Sequence, residues 1–142
     1  MRALEARAND PIDPYHGRLL DYVNPVTGGP VLPTIHCQIQ VLPPGFEGKV
    51  HRRTASAVML VIQGEGRTVF VDKDLEWCKH DCVAIPNWTW HRHINRSRAP
   101  AILFTLSDAP ILSQFGFYRE ENEESPERLA PSLPASRAAA AE

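Results

Sequence analysis

Two short segments hold the side chains whose types and spacing could do chemistry. They read His51-Arg-Arg53 and His91-Arg-His93-Ile-Asn95. Alternate side chains of a β-strand share a face, so His51 and Arg53 point the same way, as do His91, His93 and Asn95. Neutral imidazole is a good ligand for iron, zinc, nickel and copper. The two segments together predict a metal site with His51, His91 and His93 as ligands.

A third ligand is the open question at this site, because two histidines bind a metal only weakly. His93 is the nearest residue for that role, and His36, Gln40 and Glu47 are more distant alternatives. Each histidine taken alone is equally compatible with a surface position or a hydrogen-bonded one.

Arg53 has two interpretations. In a cavity, its guanidinium would bind a substrate carboxylate through two hydrogen bonds and so orient the substrate. On this interpretation Arg53 is predicted to be a catalytic and substrate-binding residue. It would also repel a metal cation at short range. Alternatively, Arg53 lies at the rim of the fold and pairs with an acid or with water.

Three further residues are predicted to bind substrate beside Arg53: Gln40, Trp88 and Asn95. Trp88 lies where it would narrow the entrance of a cavity. Tryptophans in such a stretch are nevertheless more typical of a core or an interface.

The elements that must position these residues are short strands. The chain has 13 prolines and 8 glycines, and they separate short apolar runs. A hairpin is predicted where the run from Ser56 to Ile62 is followed, after Gly64, by the run from Arg67 to Val71. The other predicted strands are Thr34 to Leu42, Leu75 to Trp77, Cys82 to Ile85, Thr89 to Ile94 and Ala101 to Leu106. Such spacing indicates a β-sandwich or barrel, whose inward-facing side chains converge on one cavity.

The two ends of the chain differ from this pattern. Residues 1–10 are predicted to be an N-terminal extension that forms a loose helix, and residues 11–121 to be the barrel domain. A short helix is predicted from Pro110 to Phe115, with Asp108 as its N-cap. Residues 122–142 are rich in acidic residues, alanine, serine and proline, and are predicted to be a disordered tail.

Composition limits the classes of function. A chain of 142 residues fits one domain, and its net charge of -2 predicts neither nucleic-acid nor anionic-membrane binding. The apolar run from Ala57 to Ile62 is too short to span a bilayer, and the first residues lack a hydrophobic signal region. A cytoplasmic protein is therefore expected.

Both segments resemble the two motifs of the cupin superfamily, G-x5-H-x-H-x3-E-x6-G and G-x5-P-x-G-x2-H-x3-N. The first aligns on Gly45, His51 and Gly64, and the second on Pro86, His91 and Asn95, with Trp88 at a glycine position. The resemblance implies an all-β fold, a single cupin: a double-stranded β-helix, or jelly-roll barrel, with short flanking helices.

A closer resemblance extends over about residues 11–121, to the C-terminal cupin domain of gentisate 1,2-dioxygenases and of the related salicylate and 1-hydroxy-2-naphthoate dioxygenases. It is carried by Asp13-Pro-Tyr-His-Gly17, the run from Asp21 to Ile35, Leu42-Pro-Pro-Gly-Phe46, His51-Arg-Arg-Thr-Ala-Ser-Ala-Val58, Gly64-Glu-Gly-Arg-Thr68, Leu75-Glu-Trp77, Ile85-Pro-Asn-Trp-Thr-Trp-His91, Phe104-Thr-Leu-Ser-Asp-Ala-Pro110 and Tyr118-Arg-Glu-Glu121. The family cleaves the ring of hydroxylated aromatic carboxylates with Fe(II) and O2.

By resemblance, His51 and His91 match two of the family's three iron-binding histidines, and Arg53 stands at the third. The family carries two cupins, usually with iron in the first, whereas this chain matches the second. Three functions therefore stay open. The first is a ring-cleaving dioxygenase, and the second is a non-catalytic cupin that binds a small aromatic acid or serves as a partner subunit. The third is a metal-dependent isomerase or hydrolase. A homodimer or higher homo-oligomer is expected on family grounds.

Overall fold

The computed structural model describes residues 10–122. Within that range eleven strands and one helix follow each other along the chain. In order they are β1 (Arg18–Asp21), β2 (His36–Leu42), β3 (Phe46–Glu47), β4 (His51–Arg53), β5 (Ala57–Gln63), β6 (Glu65–Phe70), β7 (Asp74–Cys78), β8 (Cys82–Ile85), β9 (His91–Asn95), β10 (Ala101–Ser107), α1 (Ala109–Gln114) and β11 (Glu120–Asn122).

The strands form two antiparallel sheets. The first has the order β1-β2-β10-β5-β8, and the second has the order β11-β4-β9-β6-β7, with β3 paired to β9. Most neighbours in a sheet, such as β2 and β10 or β4 and β11, are far apart in sequence, as in a jelly roll. The predicted all-β fold is confirmed.

The core lies between the inner faces of the two sheets. On β5 the inward Met59 and Val61 are fully buried, whereas the outward Leu60 and Ile62 are exposed, so this strand shows the alternation expected of a half-buried sheet. Burying side chains such as Met59 and Leu103 stabilises the fold by roughly 1.5–3 kcal/mol each. The buried apolar cluster comprises Leu42, Ala57, Met59, Val61, Phe70, Trp77, Val83, Ile85, Ala101 and Leu103.

The predicted hairpin between β5 and β6 is wrong. These strands are consecutive, but β5 pairs with β10 and β8 in the first sheet, whereas β6 pairs with β7 and β9 in the second. Gly64 lies between them with a φ of +89°, and a Cβ there would lie 2.8 Å from the Cα of Ala101. The chain uses this glycine to cross between sheets rather than to turn back on itself.

Helix α1 confirms the predicted helix near Pro110, within one residue at each end. Asp108 is its N-cap residue, but its side chain makes no capping bond; its Oδ1 accepts a hydrogen bond from the Ser56 backbone N–H at 2.8 Å. The predicted N-terminal helix and C-terminal tail lie outside the described residues, except that Asn122 ends β11. In residues 10–122 no helix has the length and apolar character needed to cross a membrane.

Among residues 10–122, two residues other than glycine have positive φ. His80 has a φ of 78° and Trp88 a φ of 53°, and they occupy the two glycine positions of the second cupin motif. The backbone thus keeps the left-handed conformation that favours glycine, although both side chains are large.

Candidate functional site

His51 and His91 form the centre of the candidate site. They are register partners on β4 and β9, and their ring centroids lie 4.5 Å apart. His51 is 1% exposed and His91 is 2% exposed, on the inner face of the second sheet. The prediction that the two segments bring these histidines together is therefore confirmed.

The backbone fixes which ring nitrogen of each histidine carries the hydrogen. Nδ1 of His51 lies 3.3 Å from the Lys49 carbonyl oxygen, and Nδ1 of His91 lies 2.8 Å from the Thr89 carbonyl oxygen. A carbonyl only accepts, so each Nδ1 donates and each Nε2 keeps its lone pair. A backbone carbonyl that orients a histidine in this way is the usual support for a metal ligand.

Burial keeps these imidazoles neutral. Desolvation, with the neighbouring histidines His16 and His91, lowers the pKa of His51 to about 3. Desolvation also lowers the pKa of His91 to about 4, although its bond to Thr89 opposes that shift. Both rings are therefore in the neutral form that binds metals near neutral pH.

His93 is buried one residue beyond Arg92 on β9, with its ring centroid 5.4 Å from that of His91. Its Nδ1 lies 3.0 Å from Oγ1 of Thr68, which also accepts a hydrogen bond from Trp77 Nε1 at 3.0 Å. The Thr68 hydroxyl thus links the side chains of Trp77 and His93 within the buried interior. The role of His93 as a metal ligand stays a prediction.

His16 joins the pair from a loop before β1. Its ring centroid lies 4.5 Å from that of His51. The carboxylate of Asp13 accepts hydrogen bonds from the backbone N–H groups of Tyr15 and His16, both at 2.8 Å. Two backbone hydrogen bonds between Asp13 and Gly17 close the loop, so His16 is held in place by local structure.

Glu120 enters the same site from β11. It is the register partner of Arg53, so it shares the inner face with Arg53 and His51. Its Oε1 lies 3.6 Å from His16 Nε2, and its Oε2 accepts a hydrogen bond from the Tyr118 hydroxyl at 3.1 Å. The neighbouring imidazole of His16 lowers the pKa of Glu120 to about 2, so the carboxylate is charged at neutral pH.

Arg53 lies on the site side of β4, half-buried. Burial raises the pKa of Tyr118, the Glu120 carboxylate reinforces that shift, and the positive charge of Arg53 partly offsets it. Three buried polar atoms find no hydrogen-bond partner among the described residues: Nε of Arg53, Nε2 of Gln40 and Oγ of Ser107. Native proteins rarely leave such atoms unpaired, so these are places for a bound polar molecule or water.

The interior is polar at the end where Arg53 lies. Strand β4 leads into β5, where Ala57 is the register partner of Ser107. The buried polar side chains of β2 and β10 on the inner face are Gln38, Gln40, Thr105 and Ser107. Polar side chains are therefore buried between the sheets beside the apolar core.

Asn95 has its side chain committed to a loop. Its Nδ2 donates to the backbone carbonyls of Leu42, Pro43 and Ala99, and its Oδ1 accepts from Ser97. The predicted substrate contact of Asn95 stays untested, but its amide already has partners.

Trp88 contacts the opposite face of β4. Its backbone N–H donates to the Arg53 carbonyl at 2.7 Å, and its ring lies 4.1 Å from the Arg52 guanidinium carbon. Arg52 also stacks on Trp90 and forms an ion pair with Glu121. A substrate contact for Trp88 remains a prediction, and the contacts that Trp88 makes in the structure pack it against β4.

Two of the three distant ligand alternatives, His36 and Glu47, have other partners. His36 Nε2 lies 3.1 Å from Asp21 Oδ1, and Glu47 Oε1 lies 3.1 Å from Arg96 Nη2.

Two surface cavities of about 530 and 660 Å³ lie along β6, β7 and β8, and neither is lined by His51 or His91.

A metal ion fits the donor chemistry but not the family's ligand positions. In the described part of the chain, no group of three or more His, Cys, Asp or Glu side chains is already arranged to hold a metal. Neutral His51 and His91 supply two imidazole donors of the kind that suits Fe(II), whereas Nε2 of His16 lies 3.6 Å from Oε1 of Glu120. Arg53 cannot replace a ligand, because guanidinium only donates.

His16 and Glu120 are the site residues that sequence reasoning missed. Both lie in segments that carry the family resemblance, Asp13-Pro-Tyr-His-Gly17 and Tyr118-Arg-Glu-Glu121. Neither residue lies at a regular sequence interval from His51, so no pattern in the sequence links them to it. Only the pairing of β11 with β4 and the docking of the loop bring them there.

Comparison with known proteins places this geometry in a family. Residues 38–107 match the family model described as "Cupin domain". A 1-hydroxy-2-naphthoate 1,2-dioxygenase of Nocardioides sp. (strain KP7) is 44% identical over 123 residues, which are 86% of this chain and 31% of that protein. A gentisate 1,2-dioxygenase of Aquipseudomonas alcaligenes is 38% identical over 120 residues, 83% of this chain and 34% of that protein.

Solved structures agree. Salicylate 1,2-dioxygenase from Pseudoaminobacter salicylatoxidans superposes with a TM-score of 0.74 and 30% identity, over 87% of this chain and 33% of that one. The chain thus spans about a third of the length of the relatives it matches. By fold, by motif and by relatives, residues 38–107 are a cupin domain, and the chain is similar to one cupin of the gentisate-type ring-cleaving dioxygenases.

Proposed function

We propose that this chain is a gentisate-dioxygenase-type cupin that takes part in ring-cleaving dioxygenation of a hydroxylated aromatic carboxylate with Fe(II) and O2. The observation that supports it is the buried, neutral pair His51 and His91, each with Nδ1 bonded to a carbonyl and Nε2 available. Bound there, Fe(II) would supply the redox chemistry that activates dioxygen.

The protein's own side chains bind and orient the substrate. Arg53 holds the substrate carboxylate through its guanidinium, and the unpaired Nε2 of Gln40 donates to a substrate oxygen. The apolar cluster beyond Gln40, which includes Met59 and Leu103, covers the aromatic ring and excludes water.

Metal content and oxygen uptake test this proposal on the purified chain. We expect iron by elemental analysis after anaerobic loading, and oxygen consumption with gentisate or salicylate. Arg53→His should raise metal affinity, because it places an imidazole on the face shared with His51. A chain that neither retains iron nor consumes oxygen with these acids would contradict the proposal.

A second function, that of a non-catalytic cupin which binds an aromatic acid or assists a separate catalytic chain, is supported by Arg53 at a ligand position. For this function, calorimetry should detect gentisate binding without oxygen uptake. Replacement of Arg53 by Met should weaken that binding at least about tenfold, because a charge-assisted pair is lost.

Assembly stays a prediction of the family resemblance, and location stays a prediction from the pattern of apolar residues in the sequence. The expected homodimer or higher homo-oligomer is measured by light scattering of the purified chain. The expected cytoplasmic location is measured by cell fractionation.

A further inference from the structure

The outer face of the first sheet is an apolar surface that the described residues leave uncovered. Val58, Leu60 and Ile62 of β5 and Leu106 of β10 point outward there, and each is between 37% and 43% exposed. Large apolar side chains that lie together on one exposed face mark a contact surface. We propose that this face is the interface between two copies of this chain.

Strand pairing arranges the apolar side chains in rows across the sheet. Register partners lie side by side, and alternate residues of a strand share a face. From β2 through β10 and β5 to β8, the first row is Ile39, Phe104, Leu60 and Cys82, and the second row is Cys37, Leu106, Val58 and Ala84. Leu20 of β1 extends the first row, because it pairs with Ile39. The rows therefore form one continuous surface from edge to edge of the sheet.

This surface carries almost no charge. Of the outward-facing residues on the five described strands, Arg18 alone is charged, and its Nε donates to the Asp10 carbonyl oxygen at the edge formed by β1. The outward side chains of β6 and β7 in the second sheet include, by contrast, Glu65, Arg67, Asp74 and Glu76. A two-fold interface brings a surface against its own copy, so an uncharged face pairs with itself without like-charge repulsion.

A second copy also suits this face better than the remaining segments of the chain. Residues 1–9 include Arg2, Glu5 and Arg7, and residues 123–142 are likewise rich in charged side chains. Covering an apolar face with such segments would remove water from charged groups that find no partner on it. A copy of the same sheet brings only apolar rows, and two sheets pack face to face with their side chains interdigitated.

The size of the face predicts a weak dimer. Five strands about 4.8 Å apart, with outward side chains over roughly 20 Å of strand, give a footprint of about 500 Å² on each copy. Interfaces that bury less than about 1,200 Å² in total are typical of transient contacts. We therefore expect a dimer that dissociates on dilution.

Two exposed cysteines test the interface on the unmodified chain. Cys82 lies on the proposed interface, as the register partner of Leu60, whereas Cys78 lies on the outer side of β7 in the second sheet. The chain is alkylated with iodoacetamide at increasing protein concentration, and trypsin, which cleaves after Lys79, separates the two thiols for mass spectrometry. Alkylation of Cys82 should slow at least about threefold as the dimer forms, because access controls thiol reactivity, and Cys78 should keep one rate.

A pair of valine variants tests the same surface by sedimentation velocity. Val58→Glu places an unpaired charge in the interface and should weaken the dimer at least about tenfold. The matched control is Val71→Glu, which adds the same charge at a 79% exposed residue of the turn after β6 and should leave the dimer unchanged. Circular dichroism checks the fold of both variants, and the cysteine measurement decides the question without them.

Each contrary outcome overturns the inference in its own way. A chain that stays monomeric, with one Cys82 rate at all concentrations, would show that the face does not pair. A dimer that persists in a folded Val58→Glu chain would use another surface. A monomer whose Cys82 reacts slowly at every concentration would show that another segment of the chain covers the face. None of these results depends on iron or oxygen uptake, so the interface and the proposed function stand or fall separately.

Discussion

At the scale of single residues, the two arginines of β4 have separate tasks. Arg53 faces the interior with a buried Nε that no described residue accepts, so it is available to a ligand. Arg52 faces out, between Trp88 and Trp90, and two of its nitrogens donate to one oxygen of Glu121. Two neighbouring residues of one side-chain type thus lie in different surroundings, because a strand alternates its faces.

The Arg52 cluster gives a stability prediction. Arg52→Ala should lower the free energy of unfolding by about 2–4 kcal/mol, because Glu121 is only 6% exposed and would lose its shorter ion pair. The matched control is Arg96→Ala, whose pair with Glu47 is largely exposed and should matter by less than about 1 kcal/mol. Urea unfolding measures both, and equal effects would contradict the assignment.

Thr68 gives a second prediction, because it is a buried hydroxyl shared by two side chains. Thr68→Val keeps the shape but leaves Nε1 of Trp77 and Nδ1 of His93 without this partner. We expect a loss of about 1–3 kcal/mol in unfolding free energy. Thr89→Val, which removes an exposed hydroxyl bonded to the Asn87 carbonyl, should cost much less. Equal stability of the two threonine variants would show that the hydrogen bonds linking Trp77, Thr68 and His93 do not stabilise the fold.

At the scale of elements, the turn before β8 stores strain at His80. Its φ of 78° is costly for any residue with a Cβ, and this is a glycine position of the cupin motif. His80→Gly should therefore raise the free energy of unfolding by about 0.5–1 kcal/mol. Lys79→Gly, next to it and without positive φ, should lower stability instead. Thermal unfolding compares the two variants. A loss of stability in His80→Gly would contradict the inference that the positive φ of His80 strains the backbone.

At the scale of the whole molecule, the buried histidines predict sensitivity to acid. The folded pKa values of His51, about 3, and His91, about 4, lie below the unfolded value of 6.5, and burial lowers the pKa of His93 as well. The unfolded chain therefore binds more protons below pH 6.5, so stability falls as pH falls from about 6.5 toward 4.

The size and the measurement of this effect follow from the same linkage. Each histidine contributes up to about 1.4 kcal/mol per pH unit in that window. Glu120 acts in the same direction at lower pH, because its lowered pKa stabilises the fold above 4.5 and that contribution is lost toward pH 2. Urea midpoints of the metal-free chain between pH 7 and 5 should fall steeply, and His93→Gln should give a shallower dependence. A midpoint that is flat over this range would contradict the burial of neutral imidazoles.

The sequence by itself determined the strand content and the central pair of the site. The apolar, β-branched run of β5 and the two-residue spacing of His51 and Arg53 are local properties, and alternate side chains share a face once the strand forms. The meeting of His51 with His91 was predicted from the two cupin motifs. The family resemblance added the barrel fold, which the comparisons confirm.

Only the tertiary structure decided what surrounds that pair. Sheet partnership depends on contacts between distant segments, which is why β5 and β6, neighbours in the chain, belong to different sheets. The same long-range pairing brings Glu120 beside Arg53 and docks the His16 loop on His51, across 67 and 35 residues of chain respectively, as the difference in their numbers shows. Local spacing cannot encode such meetings, because they arise only when the two sheets close around one interior.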